Sequence, residues 1–496
     1  MLRKIRIALA VLFFAGITLL FIGIGQQWWG WMAKLQFLPS CLALNFTVII
    51  GILLLTILFG RIYCSVICPM GVFQDIIIWA RRQAGLILHK VNERRIKNYA
   101  EAKKAGKDVG QLTTIKREVK HFKYNKEHKW VRYPILILTI AAILSGLQVF
   151  VAIIAPYSAY GRIVHTAVGL GKGESLAPAL LITAAVSFVA IVLCAWLWGR
   201  AYCNTICPVG SVLGLFSRFS LFHIKIDASK CKACGRCGRG CKSSCIDMDA
   251  HTVDYSRCVD CFDCIKRCTE GAISFGIGKP DKAETAKAEE TDNSRRQFIM
   301  TTALIGGAAV TAKAQGHLDG GLADVTPKSK PARSERLVPF GSGSVENFYS
   351  RCTGCQLCVS NCPNHVLRPS TDLEHLLQPE MGYENGYCRP ECTICSTVCP
   401  SGAIKPIEKE QKLSTHIGRA TVNYDLCISA LGQDSCGNCS RHCPVGAILM
   451  VDDPESGHKI PAVAEEVCIG CGACEFLCPS RPISAITVNG LSVHHE

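Results

Sequence analysis

The sequence predicts two kinds of architecture in one chain: an α-helical membrane bundle of four spans, followed by small α+β domains built around cysteines. Three observations predict it. Long apolar segments raise the mean hydropathy to +0.24. The 31 cysteines of this 496-residue chain fall mostly in tight, evenly spaced runs. The net charge of +15 is concentrated in one place rather than spread. These features exclude a soluble single-domain enzyme and a disordered protein. They also exclude a disulfide scaffold, which belongs to short secreted chains. Length alone allows about three domains.

The spans come first. Residues 7–25 carry no charge and are long enough to cross a bilayer. Arg3, Lys4 and Arg6 precede them, which keeps that end inside. Trp28, Trp29 and Trp31 follow, as an aromatic belt at the far interface would. Residues 42–59, 133–155 and 176–198 supply the second, third and fourth spans. Between the second and third, residues 81–132 hold 16 Lys+Arg against 5 Asp+Glu. That loop is expected on the cytoplasmic side, in contact with lipid headgroups. No nucleic-acid reader motif accompanies the charge, so no nucleic-acid partner is expected. The loop 156–175 is poor in charge and suits the outer side. The apolar stretch 72–80 reads as an interfacial helix.

An internal repeat sits on this frame. Gly60-Arg61-Ile62-Tyr63-Cys64 leads to Cys68-Pro69-Met70-Gly71, and Gly199-Arg200-Ala201-Tyr202-Cys203 leads to Cys207-Pro208-Val209-Gly210. The shared pattern is G-R-x-Y-C-x3-C-P-x-G. Two hairpins bearing one motif suggest a pseudo-symmetric bundle with the motifs close together at the cytoplasmic membrane face. Cys64, Cys68, Cys203 and Cys207 then offer four thiols to one further metal or redox centre. The plainer alternative is helix-breaking Cys-Pro punctuation at the membrane edge. Cys41 and Cys194 read as small buried hydrophobes. Asn45, Gln148 and His165 are polar groups that could meet a quinone headgroup.

Six runs hold 24 of the cysteines. They are Cys231, Cys234, Cys237 and Cys241; Cys258, Cys261, Cys264 and Cys268; Cys352, Cys355, Cys358 and Cys362; Cys388, Cys392, Cys395 and Cys399; Cys427, Cys436, Cys439 and Cys443; and Cys468, Cys471, Cys474 and Cys478. Spacing of the form C-x2-C-x2-C-x3-C is that of [4Fe–4S] clusters in α+β ferredoxin-like iron–sulfur domains. Zinc, which favours separated C-x2-C pairs, fits less well. In two-cluster ferredoxins the fourth cysteine of each run serves the other cluster. Cys231, Cys234 and Cys237 should therefore join Cys268, and Cys258, Cys261 and Cys264 should join Cys241. Cys245 stands close enough in sequence to compete with Cys241, and spacing favours Cys241. Among the last four runs, the first pairs either with the second or with the fourth around an inserted middle pair. Six [4Fe–4S] clusters are expected.

Segment boundaries follow. Residues 1–224 form the four-span domain and 225–279 a two-cluster domain. Residues 280–293 are a charged linker. Residues 294–315 contain Arg295-Arg296, a modestly apolar run and Ala312-Lys313-Ala314, which reads as a twin-arginine export signal or a fifth span. Residues 316–345 are a second linker, rich in Gly, Pro, Ser and Lys. Residues 346–496 are a four-cluster domain, expected to be periplasmic, whereas residues 225–279 are expected to be cytoplasmic. The protein is thus expected as a multi-pass component of a bacterial inner membrane.

In these motifs, the first 280 or so residues resemble the membrane subunit of the NapGH-type quinol dehydrogenases. Residues 294–496 resemble its exported partner of the NapG/MauM type, including the irregular gaps Cys388–Cys392 and Cys427–Cys436. The membrane half is also similar to the maturation protein NosR and to copper-handling CcoG proteins. The resemblance implies a membrane-bound quinol dehydrogenase. Quinol from the membrane quinone pool would be its substrate, and a periplasmic reductase or c-type cytochrome its acceptor. The alternative it implies is a copper-handling or metalloenzyme-maturation factor.

Overall fold

A computed structural model describes residues 1–104, 122–145, 148–173, 178–277, 318–319, 323–324, 326–372, 374–454 and 457–495. The Arg295-Arg296 signal and the first linker lie outside them.

Three of the expected spans are single helices: α1 (Leu2–Ile22), α4 (Phe46–Phe59) and α10 (Pro178–Trp198). Of these, α1 and α10 are long and apolar enough to cross a membrane. Asn45 caps α4, its side chain accepting from the Val48 amide at 3.4 Å, which starts that helix late and leaves it 14 residues long. The third segment is interrupted. It comprises α7 (Lys129–Leu144) and α8 (Gln148–Ile154).

Short helices join the long ones. On the side reached by the C-terminal end of α1 lie α2 (Gln26–Lys34) and α3 (Phe37–Leu42), and after α8 comes α9 (Pro156–Lys172), begun by a proline in its first turn. On the other side, α5 (Ile62–Val66) carries the first motif. Pro69 then opens α6 (Pro69–Lys104), which absorbs the expected interfacial helix and much of the basic loop. Its good helix formers (Ala, Glu, Lys, Arg, Leu) and lack of internal proline explain why the helix runs on. The second motif forms a π-turn at Tyr202–Ile206, followed by α11 (Pro208–Phe216).

The first cysteine domain is closed by strand Phe222–Ile226 pairing antiparallel with Ile273–Ile277, Ile224 opposite Phe275. The C-terminal body has three such ribbons. The longest pairs His416–Val422 with Ile486–His495, and Ala420 and Val488 stand opposite each other in its core. This body begins earlier than expected. Leu337, Val338 and Phe340 are buried in it, and Arg333 is ion-paired with Glu475 at 2.7 Å. The end of the second expected linker is therefore core, because its few apolar residues are spaced to enter the fold.

The two cysteine-bearing parts sit at opposite ends of α1. At its N-terminal end Arg3 donates to Asp263 at 2.7 Å, within the first cysteine domain. At its C-terminal end the Leu20 carbonyl accepts from Asn361 of the C-terminal body at 3.1 Å. There too His165 Nδ1 lies 2.9 Å from Ser360 Oγ. Each body docks against close backbone. A Cβ on Gly161 would stand 2.4 Å from the Cys355 carbonyl, and Leu357 and Val398 pack into the same core as Ile17, Leu20 and Phe21.

Candidate functional site

Cysteine side chains converge in sets that combine neighbouring runs. One hollow in the first domain is lined by Cys231, Cys234, Cys237 and Cys268. In the same domain Cys264 is buried beside Cys261, Cys258 and Cys241, whose charges, after burial itself, push its thiol up. Cys245 stands behind this set, its Sγ 3.5 Å from that of Cys241. The structure thus brings Cys241 to Cys258, Cys261 and Cys264, as the 3+1 exchange requires, while Cys245 touches both Cys241 and Cys258.

The pairing of the last four runs, open from sequence, is resolved by the same geometry. Cys388, Cys392 and Cys395 line a hollow with Cys362, and Cys352, Cys355 and Cys358 group with Cys399. Cys468, Cys471 and Cys474 share a hollow with Cys443, and Cys427, Cys436 and Cys439 share one with Cys478. The first run thus pairs with the second and the third with the fourth. The four sets also follow one another in space. Cys358 lies near Cys395, the Cys388 amide donates to the Cys471 carbonyl at 3.0 Å, and Cys474 lies near Cys439.

The residues present suit a four-iron cluster. Among the described residues no three Cys, His, Asp or Glu side chains close on a single ion. A cube instead takes each thiolate at a different iron, from four separated directions. Donors are also in place for an anionic centre. The Ala272 amide points at Cys268 Sγ (3.3 Å), the Ala447 amide at Cys443 Sγ (3.2 Å) and Lys412 Nζ at Cys388 Sγ (3.2 Å). Left-handed residues such as Phe262, Gln356 and Gly472 (φ between +58° and +78°) turn the chain between the cysteines of a run.

The repeated motif forms a third kind of site. Cys64, Cys68, Cys203 and Cys207 are each 3–5% exposed and lie in one apolar core. Their arginines cross over between the repeats. Arg61 donates to the Cys203 carbonyl (3.1 Å) and contacts Cys64 Sγ (3.8 Å), while Arg200 donates to the Cys64 carbonyl (2.9 Å). Gln74 Nε2 reaches Cys203 Sγ at 3.3 Å. Gly60 and Gly199 have φ of +77° and +68°, a region that favours glycine. A Cβ there would strike Asp260 and the Lys242 carbonyl, so each repeat packs on one run of the first cysteine domain.

These motifs were expected at the inner membrane face, and in the structure the tyrosine of each reaches toward the end of the bundle where the C-terminal body docks. Tyr63 OH donates to Gln36 Oε1 (3.1 Å) and accepts from the Phe37 amide (3.0 Å). Tyr202 OH donates to the Ile154 carbonyl (2.6 Å). Gln36 and Phe37 lie between the first and second expected spans, and Ile154 lies at the outer end of the third. Short helices enter from both sides and meet, so the four cysteines stand between the two cysteine-bearing bodies. The core around them includes Cys261 at one end and Cys355 at the other. Sequence reading missed this depth, for which the only signal was the pair of tyrosines in the repeat.

Of the other polar candidates, Asn45 is a helix cap and His165 is a docking contact. The Gln148 side chain lies outside the described residues. Cys41 and Cys194 are half-buried.

Comparison with known proteins agrees with this geometry. Residues 43–86 and 180–227, which contain the two motifs, match a family described as 4Fe-4S binding domain. Residues 351–403 and 434–481 match the 4Fe-4S dicluster domain. The methylamine utilization ferredoxin-type protein MauM of Methylorubrum extorquens is 30% identical over 164 residues, covering 30% of this chain and 70% of that protein. The ferredoxin-type protein NapF of Escherichia coli is 29% identical, covering 32% and 89%. NapG of the same organism is 28% identical, covering 39% and 84%.

Proposed function

The chain belongs to the MauM family of ferredoxin-type proteins, and on that premise we propose that it is a membrane quinol dehydrogenase feeding a periplasmic reductase or c-type cytochrome. It carries 4Fe-4S ferredoxin-type domains. Its six four-cysteine sets would hold six [4Fe–4S] clusters, each able to accept and release one electron.

The observation that carries the reading is the order of the cysteine sets. Cys231, Cys234, Cys237 and Cys268 form one set of the first cysteine domain, in which Cys234 is exposed. Cys258, Cys261, Cys264 and Cys241 come next, against the repeated motif. Cys64, Cys68, Cys203 and Cys207 follow, then the set containing Cys355, and then the remaining three sets in series. This chain's own residues hold that order. Arg61 and Arg200 lock the two motifs together, Arg3 fixes the first domain, and Asn361 fixes the C-terminal body.

A membrane location is supported by how little the apolar helices bury. Only 22% of the most apolar window of α10 is covered by protein, and Val186, Val189 and Leu193 face outward. A core helix in water would bury that face.

Cys64→Ser and Cys207→Ser test the proposal. Each variant should retain its six clusters, seen by dithionite reduction, yet lose reduction of the C-terminal clusters by a quinol analogue in membranes. Wild-type rates with quinol would show that these thiols lie on no electron path.

A further inference from the structure

A cleft of about 1930 Å3 opens where α6, residues 122–128, the end of α10 and the first cysteine domain meet. One wall is cationic. Arg3, Arg81, Arg82, Arg239, Arg257 and Arg267 line it with Lys123, and none of the described lining residues is acidic. Among the described ion pairs, two carboxylates reach this group. Asp263 pairs with Arg3 at 2.7 Å and Arg82 at 3.4 Å, and Asp254 pairs with Arg257 at 2.6 Å. They leave an excess of positive charge.

Arg257 is the most telling member. It is 5% exposed, yet its Nη2 is buried without a hydrogen-bond partner. A buried N–H left unmet is unfavourable, and an oxyanion is the acceptor that suits a guanidinium best. Burial, then the neighbouring Arg82, also hold Arg81 below the usual arginine range.

The opposite wall is apolar. Trp79 and Leu86 come from the start of α6, and Leu197 and Trp198 from the end of α10. All four are more than half exposed, at 60%, 59%, 51% and 59%. Trp198 closes the helix that would cross the bilayer, so this wall stands at the level where acyl chains meet headgroups. Basic pockets beside spanning helices on the cytoplasmic side suit anionic lipid headgroups.

We infer that this cleft binds the phosphate headgroup of an anionic phospholipid, its acyl chains lying along Trp79 and Leu197. The inference rests on the membrane placement proposed above. The lipid phosphate would join α6 to the first cysteine domain through arginines from both.

The test uses the full chain with its clusters, extracted in detergent and delipidated. It is offered nanodiscs of phosphatidylcholine alone, or of phosphatidylcholine with cardiolipin or phosphatidylglycerol, and lipid per chain is read by native mass spectrometry. Wild type should retain an anionic lipid. An Arg81→Gln, Lys123→Gln double variant should bind it about tenfold or more weakly, with cluster absorbance unchanged. Arg81→Lys, which keeps the charge, should stay near wild type. Equal retention of phosphatidylcholine would overturn the inference. So would binding of inorganic phosphate alone with no lipid preference, which would assign the cleft to a free anion. Carbonate washing of membranes separates the two readings. Release of the chain by carbonate refutes the membrane placement, whereas a chain that stays but shows no anionic preference refutes only this site.

Discussion

Asp75 holds three parts of the molecule at once, so its loss tests the docked arrangement directly. Its carboxylate meets Arg6 of α1, Arg200 of the second motif at 2.8 Å and Lys242 of the first cysteine domain at 2.8 Å. The Asp75 side chain is 11% exposed, and those of Arg200 and Lys242 are 0% and 6% exposed. Burial alone would raise this carboxyl, but Arg200, Lys242 and Arg6 together hold it well below the usual carboxylate range. Asp75→Asn keeps the shape and leaves three buried cations facing an amide. Breaking a buried ion pair from one side costs about 3–5 kcal/mol. At about 2–4 °C per kcal/mol for a large domain, melting should fall on the order of 10 °C.

The assay is thermal unfolding in detergent under anaerobic conditions, followed by tryptophan fluorescence and cluster absorbance. Asp227→Asn, at an exposed carboxylate that meets only its near neighbours Ser229 and Lys230 among the described residues, is the control and should move melting far less. The sign with pH follows from the depressed pKa. The contribution of Asp75 is fully present above the unfolded carboxyl value of about 3.9 and is lost as pH falls through the lower, folded value. The gap between wild type and Asp75→Asn should therefore be full near neutrality and narrow in strong acid. Equal melting temperatures at pH 7 would refute the view that Asp75 holds the first cysteine domain on the repeated motif.

Three further outcomes are expected. Iron and acid-labile sulfide should each approach about 24 per chain, six clusters of four, and a value near eight would remove the four-cluster assignment of the C-terminal body. Reporters fused at Gly278 and Glu496 should report cytoplasm and periplasm, and replacing Arg295 and Arg296 with Lys should keep the second reporter inside; both on one side in the parent chain would undo the export reading. Gly161→Val should loosen the C-terminal body, because a Cβ would stand 2.4 Å from the Cys355 carbonyl and 2.6 Å from Phe21; unchanged proteolytic release of that body would argue that it docks elsewhere.

The cysteine runs were legible because ligand spacing is local. The exchange of fourth cysteines in the first domain could be read in advance for the same reason, since its two runs are adjacent. The partner of Cys362 could not, because nothing local distinguishes Cys388 from Cys468 as its neighbour across the fold. The depth of Cys64 and Cys203 was hidden for a different reason. Their flanking Arg61 and Arg200 suggest a water-facing edge, yet both guanidiniums are fully buried and spend their donors on carbonyls of the opposite repeat. The segments that meet them, α2, α3 and α8, have 9, 6 and 7 residues and fall far below the length that marks a span. Leu337 and Phe340 were lost in a stretch whose average composition is that of a linker.

The two repeats match at Gly71 and Gly210 and part company immediately after, most consequentially four residues further on. The first has Asp75 and the second Gly214. Asp75 closes the charge of Arg200. Gly214 leaves room instead for Arg132, whose guanidinium lies 1.8 Å from where a Cβ would be, and which is ion-paired with Glu127 at 2.6 Å. Arg61 meets Asn204 Oδ1 and the Ser256 carbonyl, both at 2.9 Å, besides the Cys203 carbonyl and Cys64 Sγ. All of these are formally neutral. Asp260 lies close, its carboxyl pushed up by burial, and makes no ion pair with Arg61 among the described residues. A buried guanidinium without a full counterion is costly unless an anion shares its site. The four thiols beside it can become that anion by losing protons to a metal or cluster. Helix-breaking punctuation would need neither the thiols nor this imbalance, since serine or alanine could hold the same turn. The charge asymmetry of the repeat thus favours an anionic, thiolate-held centre between the two bodies, the property that the Cys64→Ser assay reads.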